Sequence, residues 1–152
     1  MTKEIELKAT TVYGSRAQNR FKSIEKSLLV KLQNKPEMTK LNVVNTWVNG
    51  ISYKSDKETY GVNDYWATLY KFVGKNKGDC EDYTIAKYYI LKELGINPNR
   101  MKFTYVLYTN RLVLPASKRS DIIKVVKMIN GDTGPKSKKW KKLEANMKRK
   151  KL

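Results

Sequence analysis

Apolar positions recur along most of this chain at the spacing of one helix face. After a start read as extended, Ser15 to Asn34 places Ala17, Phe21, Ile24, Leu28 and Leu32 on one stripe. Ser15 is the expected N-cap of that helix, and Lys35-Pro36 ends it. A second helix is predicted over Glu37 to Asn49, with Leu41, Val44 and Val48 in line and Trp47 beside them. Pro36 suits its first turn and Gly50 its stop. Ile51-Ser52-Tyr53 reads as a short strand, and Tyr60 to Thr68 as a polar-aromatic loop leading into a short helix through Leu69, Phe72 and Val73. From Cys80 onward, Ile85, Tyr88, Tyr89, Leu91 and Leu94 repeat at helical spacing until Gly95 and Asn97-Pro98 stop them.

Beyond Arg100 the period changes. Lys102 to Tyr108 and Arg111 to Pro115 alternate like strands around Thr109-Asn110. Asp121 to Ile129 fits a strand and a helix about equally. Lys138 to Lys150 forms a basic helix with a narrow stripe of Trp140, Leu143 and Met147. Helices followed by strands point to an α+β fold. We read residues 1–135 as one domain and 136–152 as a basic C-terminal helix or tail.

Charge changes the picture in one place. The net charge is +18, of which the tail from Lys136 to Leu152 carries +8 on nine basic residues and one Glu. Such density favours polyanions, whether nucleic acid, anionic lipid or acidic protein; a merely solubilising surface is the competing reading. No aromatic RNA-binding signature or helix-turn-helix accompanies it. The chain has a single cysteine and no histidine, which excludes an internal disulfide and a tetrahedral zinc site. No apolar run is long enough for a membrane-spanning helix, and MTKEIELKATT lacks the apolar core of a secretion signal. Either the protein stays inside the cell or a signal has been removed.

Candidate chemistry gathers at Cys80, which follows Gly78-Asp79 and precedes Glu81-Asp82. At the first turn of a helix, unpaired N–H groups and the dipole favour a thiolate. The acids have a plain structural explanation as first-turn residues that complement the dipole. The aromatic pair Tyr65-Trp66 either lines a cleft beside the thiol or simply packs in the core.

The motifs W-V-N at 47–49, D-Y-W-A-T at 64–68, G-D-C-E-D-Y at 78–83, A-K-Y at 86–88 and L-P-A-S at 114–117 give the chain a resemblance to a known family. It resembles the bacterial transglutaminase-like cysteine peptidases, the LapG-type periplasmic proteases among them. The resemblance covers most of positions 13–106 and resumes around 107–131. It implies a papain-like/transglutaminase-like fold, here with N-terminal helices packed on a shortened antiparallel sheet. It also implies a periplasmic, calcium-dependent peptidase with a Cys-His-Asp triad that clips large surface adhesins and so releases biofilm. By resemblance Cys80 matches the nucleophile, Asp79 and Glu81 the calcium-binding acids, and Asp82 a further candidate ligand. Carboxylate oxygens suit a hard cation such as calcium.

The departure lies after the cysteine helix. The family's His-bearing segment is missing, and Thr109 stands where the triad Asp is expected. Without an imidazole, nothing identifiable takes the thiol proton or protonates a leaving amine. Three neighbouring carboxylates also oppose a thiolate unless a cation neutralises them. Four readings follow: a non-catalytic relative that binds an adhesin segment or the family's membrane-bound inhibitory receptor; an enzyme with an unconventional base or one supplied by a partner chain; a basic nucleic-acid or anionic-membrane module; and the product of an internal deletion with no selected activity. A second chain completing the shortened sheet would make the protein an oligomer.

Overall fold

The computed structural model describes residues 3–55, 58, 61, 66–101 and 138–149. The strands expected over 102–108, 111–115 and 121–129, together with Thr109 and L-P-A-S, lie outside those residues.

The start is helical, not extended. Helix α1 spans Lys3–Tyr13 and buries Ile5 and Ala9, one turn apart. The run Ala9-Thr10-Thr11-Val12 looks strand-like, but Thr10 Oγ1 donates back to the Glu6 carbonyl at 2.9 Å and so sits comfortably in a helix. Glu4 and Glu6 complement the dipole in the first turn.

Gly14 separates α1 from α2, Ser15–Ser23. Its φ of 94° belongs to glycine, and it takes the N-cap position assigned to Ser15 from the sequence. Ser15 instead opens the helix. The expected single helix to Asn34 is an α-helix followed by a π-helical segment, Ile24–Val30. The stripe survives that change, since Ala17, Phe21, Ile24, Leu28 and Leu32 are all buried.

Helix α3 occupies Glu37–Asn49, with Pro36 as N-cap rather than in the first turn. Leu41, Val44 and Val48 are buried as the periodicity predicts. Trp47 is half-buried, and its indole N–H donates to Ser23 Oγ at 3.1 Å. Strand β1, Ser52–Tyr53, pairs with β2, Lys77–Gly78. This described sheet is parallel, with Ser52 opposite Lys77 and Tyr53 opposite Gly78. The intervening chain carries helix α4, Leu69–Lys75, and so crosses over instead of turning back, as parallel pairing requires. The antiparallel pairing expected from the sequence belongs to positions outside the described residues.

Helix α5, Cys80–Glu93, is the central element, and six of the seven positions from Asp82 to Tyr88 are buried, Thr84 being the exception. Side chains from other elements fasten the helix ends. Lys40 Nζ donates to the Leu94 carbonyl at 2.9 Å at the end of α5. Arg20 donates from Nε to Val73 O and from Nη2 to Gly74 O, both at 2.7 Å, satisfying the last carbonyls of α4. A 3₁₀ turn at Pro98–Arg100 follows, and Arg100 grips Glu37 with two hydrogen bonds.

The basic C-terminal helix α6, Lys138–Lys148, is docked by its apolar stripe. Trp140 and Leu143 are each 1% exposed, and Met147 packs against the core. The Trp140 ring stacks on Tyr89 at 6.0 Å and meets Tyr88 edge-on at 5.3 Å. Its N–H donates to Glu144 one turn on. Among the described residues, no helix is long and apolar enough to cross a membrane.

Candidate functional site

Cys80 is the first residue of α5, as the sequence predicts, and is partly exposed. Asp79 is the N-cap. Asp79 and Asp82 form a reciprocal capping box: the Asp79 carboxylate receives the Asp82 N–H, and the Asp82 carboxylate receives the Asp79 N–H at 3.1 Å. The thiol therefore sits on a turn whose first N–H groups are held in register.

Asp82 does more than close the cap. It is 1% exposed, and its Oδ1 accepts the Ala67 N–H at 3.0 Å. The same carboxylate thus joins the loop before α4 to the first turn of α5. Room for it comes from Gly78, where a Cβ would lie 2.8 Å from Asp82 Oδ2 and 2.9 Å from its Cβ. That contact explains the glycine of G-D-C-E-D by close approach, with no unusual φ needed.

Tyr83 is the next tie. Its hydroxyl donates to the Ile51 carbonyl, and its ring meets Phe72 edge-on at 5.0 Å. It thereby connects α5 to the β1 end of the sheet and to α4. Thr84 Oγ1 donates to the Cys80 carbonyl at 3.1 Å. The turn bearing Cys80 is fixed from three sides by its own motif.

Of the aromatic pair in the preceding loop, Trp66 is half-buried and packs against the core. Tyr65 lies outside the described residues. At the far end of α5 burial raises the Tyr89 hydroxyl pKa well above its ordinary value, and the Glu144 carboxylate raises it further, with smaller effects from Tyr88 and Tyr70. Tyr88 and Tyr70 are also raised, by burial first and then by Glu144 and Glu93 respectively.

Three acids were expected as calcium ligands. Asp79 is 9% exposed, and Glu81 on the other side of Cys80 is partly exposed. Both offer hard oxygen donors, which is the right chemistry for calcium. Both oxygens of Asp82, the further candidate, receive main-chain N–H groups. Among the described residues, no cluster of three or more His, Cys, Asp or Glu is arranged to hold a metal ion. The sequence reading missed the clasp formed by Gly78, Asp82 and Ala67. The signal was present as an acid at N-cap and another at N3, the spacing of a capping box.

Comparison with known proteins places this arrangement. A model of the family described as bacterial transglutaminase-like cysteine proteinase, BTLCP, matches residues 11–133. The solved structure of Legionella pneumophila LapG is similar at 31% identity and a TM-score of 0.58, covering 67% of this chain and 55% of that one. The EGTA-treated form of the same protein gives 31% identity and a TM-score of 0.57, with 67% and 54% coverage. The calcium-bound form aligns over 95% of this chain and 97% of that one, at 24% identity and a TM-score of 0.66. This chain thus spans about half the length of the first two LapG structures. No curated protein matches it. The cysteine-bearing G-D-C-E-D-Y motif lies inside the matched region, and the chain belongs to the bacterial transglutaminase-like cysteine proteinases.

Proposed function

We propose that this chain carries the calcium-dependent nucleophile site of its family on a papain-like α+β fold, with Cys80 as the nucleophile and Asp79 and Glu81 as the calcium-holding acids. The observation that carries this reading is the position of Cys80 at the first turn of α5, between those two acids, within the family-matched region. When bound, calcium supplies positive charge that offsets the acids next to the thiol. The chain's own contribution is to hold the thiol at the start of a helix, where main-chain N–H groups favour its anion.

The family's peptide cleavage also needs a base that donates its proton to the leaving amine. This chain has no histidine for that task. We therefore propose impaired catalysis, with recognition of a protein segment retained. By resemblance that segment belongs to a large surface adhesin, a membrane-bound inhibitory receptor is the regulator, and the compartment is the periplasm. A docked α6 favours a second reading alongside it: Lys141, Lys142, Lys148 and Arg149 remain outward while Trp140 and Leu143 are buried. That face would hold polyanions by charge alone, with affinity falling steeply as salt rises.

Calorimetric titration with calcium tests the main reading. The unmodified protein is expected to bind, and Asp79→Asn and Glu81→Gln to abolish binding while remaining folded. No binding by the unmodified protein would sink the metal assignment.

A further inference from the structure

We infer that Asp82 is a positioning residue for Cys80, a buried clasp between the 66–68 loop and the nucleophile turn, and not a calcium ligand. The inference rests on the reading of Cys80 as nucleophile and sharpens its metal set to the two acids flanking the thiol.

Four observations converge. Asp82 is almost fully buried, whereas Glu81 beside it is partly exposed. Its two oxygens are divided between two main-chain donors, Ala67 in the preceding loop at 3.0 Å and Asp79 in its own cap at 3.1 Å. Gly78 presses against it with no space for a Cβ. Residues 66–68 in turn start α4, where Thr68 Oγ1 accepts the Lys71 N–H at 3.1 Å. One carboxylate therefore sets the loop, the cap residue and the turn bearing the thiol in a single geometry. A carboxylate spent on two N–H groups is oriented by the protein, and charge makes those two bonds stronger than neutral ones.

The geometry separates the acids by task. Removing Asp82 should loosen the turn without removing a metal donor, while removing Asp79 or Glu81 should remove a donor. Asp82→Asn is the sharp variant, because it keeps the shape and one acceptor but presents an N–H₂ to the other main-chain donor. Gly78→Ala is the independent one, since its Cβ displaces the Asp82 carboxylate without replacing any acidic residue.

The experiment combines three readouts on the folded full chain: amide exchange at Ala67 and Asp79, calcium affinity by titration calorimetry, and the rate of Cys80 alkylation by iodoacetamide at one pH. Leu28→Ala, at a buried residue of the π-helical segment, serves as a destabilised core control. Both Asp82→Asn and Gly78→Ala are expected to speed exchange at Ala67 and Asp79 together by about tenfold or more. Calcium affinity is expected to stay within about threefold, in contrast to Asp79→Asn. Alkylation is expected to slow by about tenfold as the turn's N–H groups lose their alignment on the thiol. In Leu28→Ala the alkylation rate should be unchanged.

Calcium affinity lost in Asp82→Asn as fully as in Asp79→Asn would make Asp82 a ligand and overturn the inference. Alkylation equal to that of the Leu28→Ala control would reduce Asp82 to a general structural residue and also overturn it. Should Asp82→Asn fail to fold, the unmodified protein decides: rapid exchange at both Ala67 and Asp79 would show no clasp. Absence of calcium binding by the unmodified protein would sink the metal reading alone, because the exchange and alkylation readouts do not need calcium.

Discussion

Replacing Trp140 with alanine measures whether α6 is part of the core. The side chain is 1% exposed, so the substitution removes a large buried ring and leaves a cavity. Such truncations cost about 3–5 kcal/mol. Two ring contacts are lost with it, the stack on Tyr89 and the edge contact with Tyr88. Each is worth about 0.5–1.5 kcal/mol beyond buried area, and both fall within the total. For a chain of this size, about 3 kcal/mol corresponds to a fall in Tm of about 10 °C. Urea denaturation of Trp140→Ala gives the first number, and a double-mutant cycle with Tyr89→Ala gives the coupling. Lys142→Ala, on the exposed face of the same helix, should stay within about 0.5 kcal/mol. A loss below about 1 kcal/mol for Trp140→Ala would refute the docking.

Other consequences are smaller but separate. Tyr83→Phe leaves the Ile51 carbonyl without this donor inside the core and should cost about 1–3 kcal/mol by denaturant titration; no loss would contradict the hydrogen bond. Arg20→Lys should not replace Arg20, because one ammonium cannot reproduce the guanidinium fork on Val73 and Gly74; a Tm equal to that of the unmodified protein would refute this. Stability should also decline above about pH 10. Tyr89, Tyr88 and Tyr70 keep their protons in the folded state beyond the pH at which they lose them unfolded, so their contribution is complete below the unfolded pKa and fades as pH rises through the folded one. Tm measured from pH 8 to 11.5 should therefore fall less in Tyr89→Phe than in the unmodified chain; parallel curves would oppose the reasoning.

The legible parts of the sequence were those with a full apolar period. Leu41, Val44 and Val48 fixed α3 between a proline and a glycine, and the helix has those bounds. The stripe on α6 was equally clear, although its +8 surroundings drew attention to charge before packing. Helix α1 was obscured because Thr10, Thr11 and Val12 are β-branched, and only two fully buried positions, Ile5 and Ala9, mark its inner face. Gly14 as a helix break needed a φ value that sequence does not display.

At the site, Cys80 and its flanking acids stood out through the G-D-C-E-D-Y motif. The distinct setting of Asp82 did not. Asp79, Glu81 and Asp82 are chemically alike, and only the fold shows that Asp79 and Asp82 are buried in the cap while Glu81 lies nearer the surface, and that Asp82 alone faces two main-chain N–H groups. The partner of Asp82, Ala67, is a main-chain donor 15 residues away, which leaves no trace in residue type.

The most direct test of the account is the rate of Cys80 alkylation at neutral pH with calcium and with chelator. A thiol held at the start of α5 beside Asp79 and Glu81 should react faster in calcium, by about threefold or more, as the neighbouring negative charge is offset. Asp79→Asn should remove that difference. Equal rates with and without calcium in the unmodified protein would contradict a calcium-linked nucleophile site.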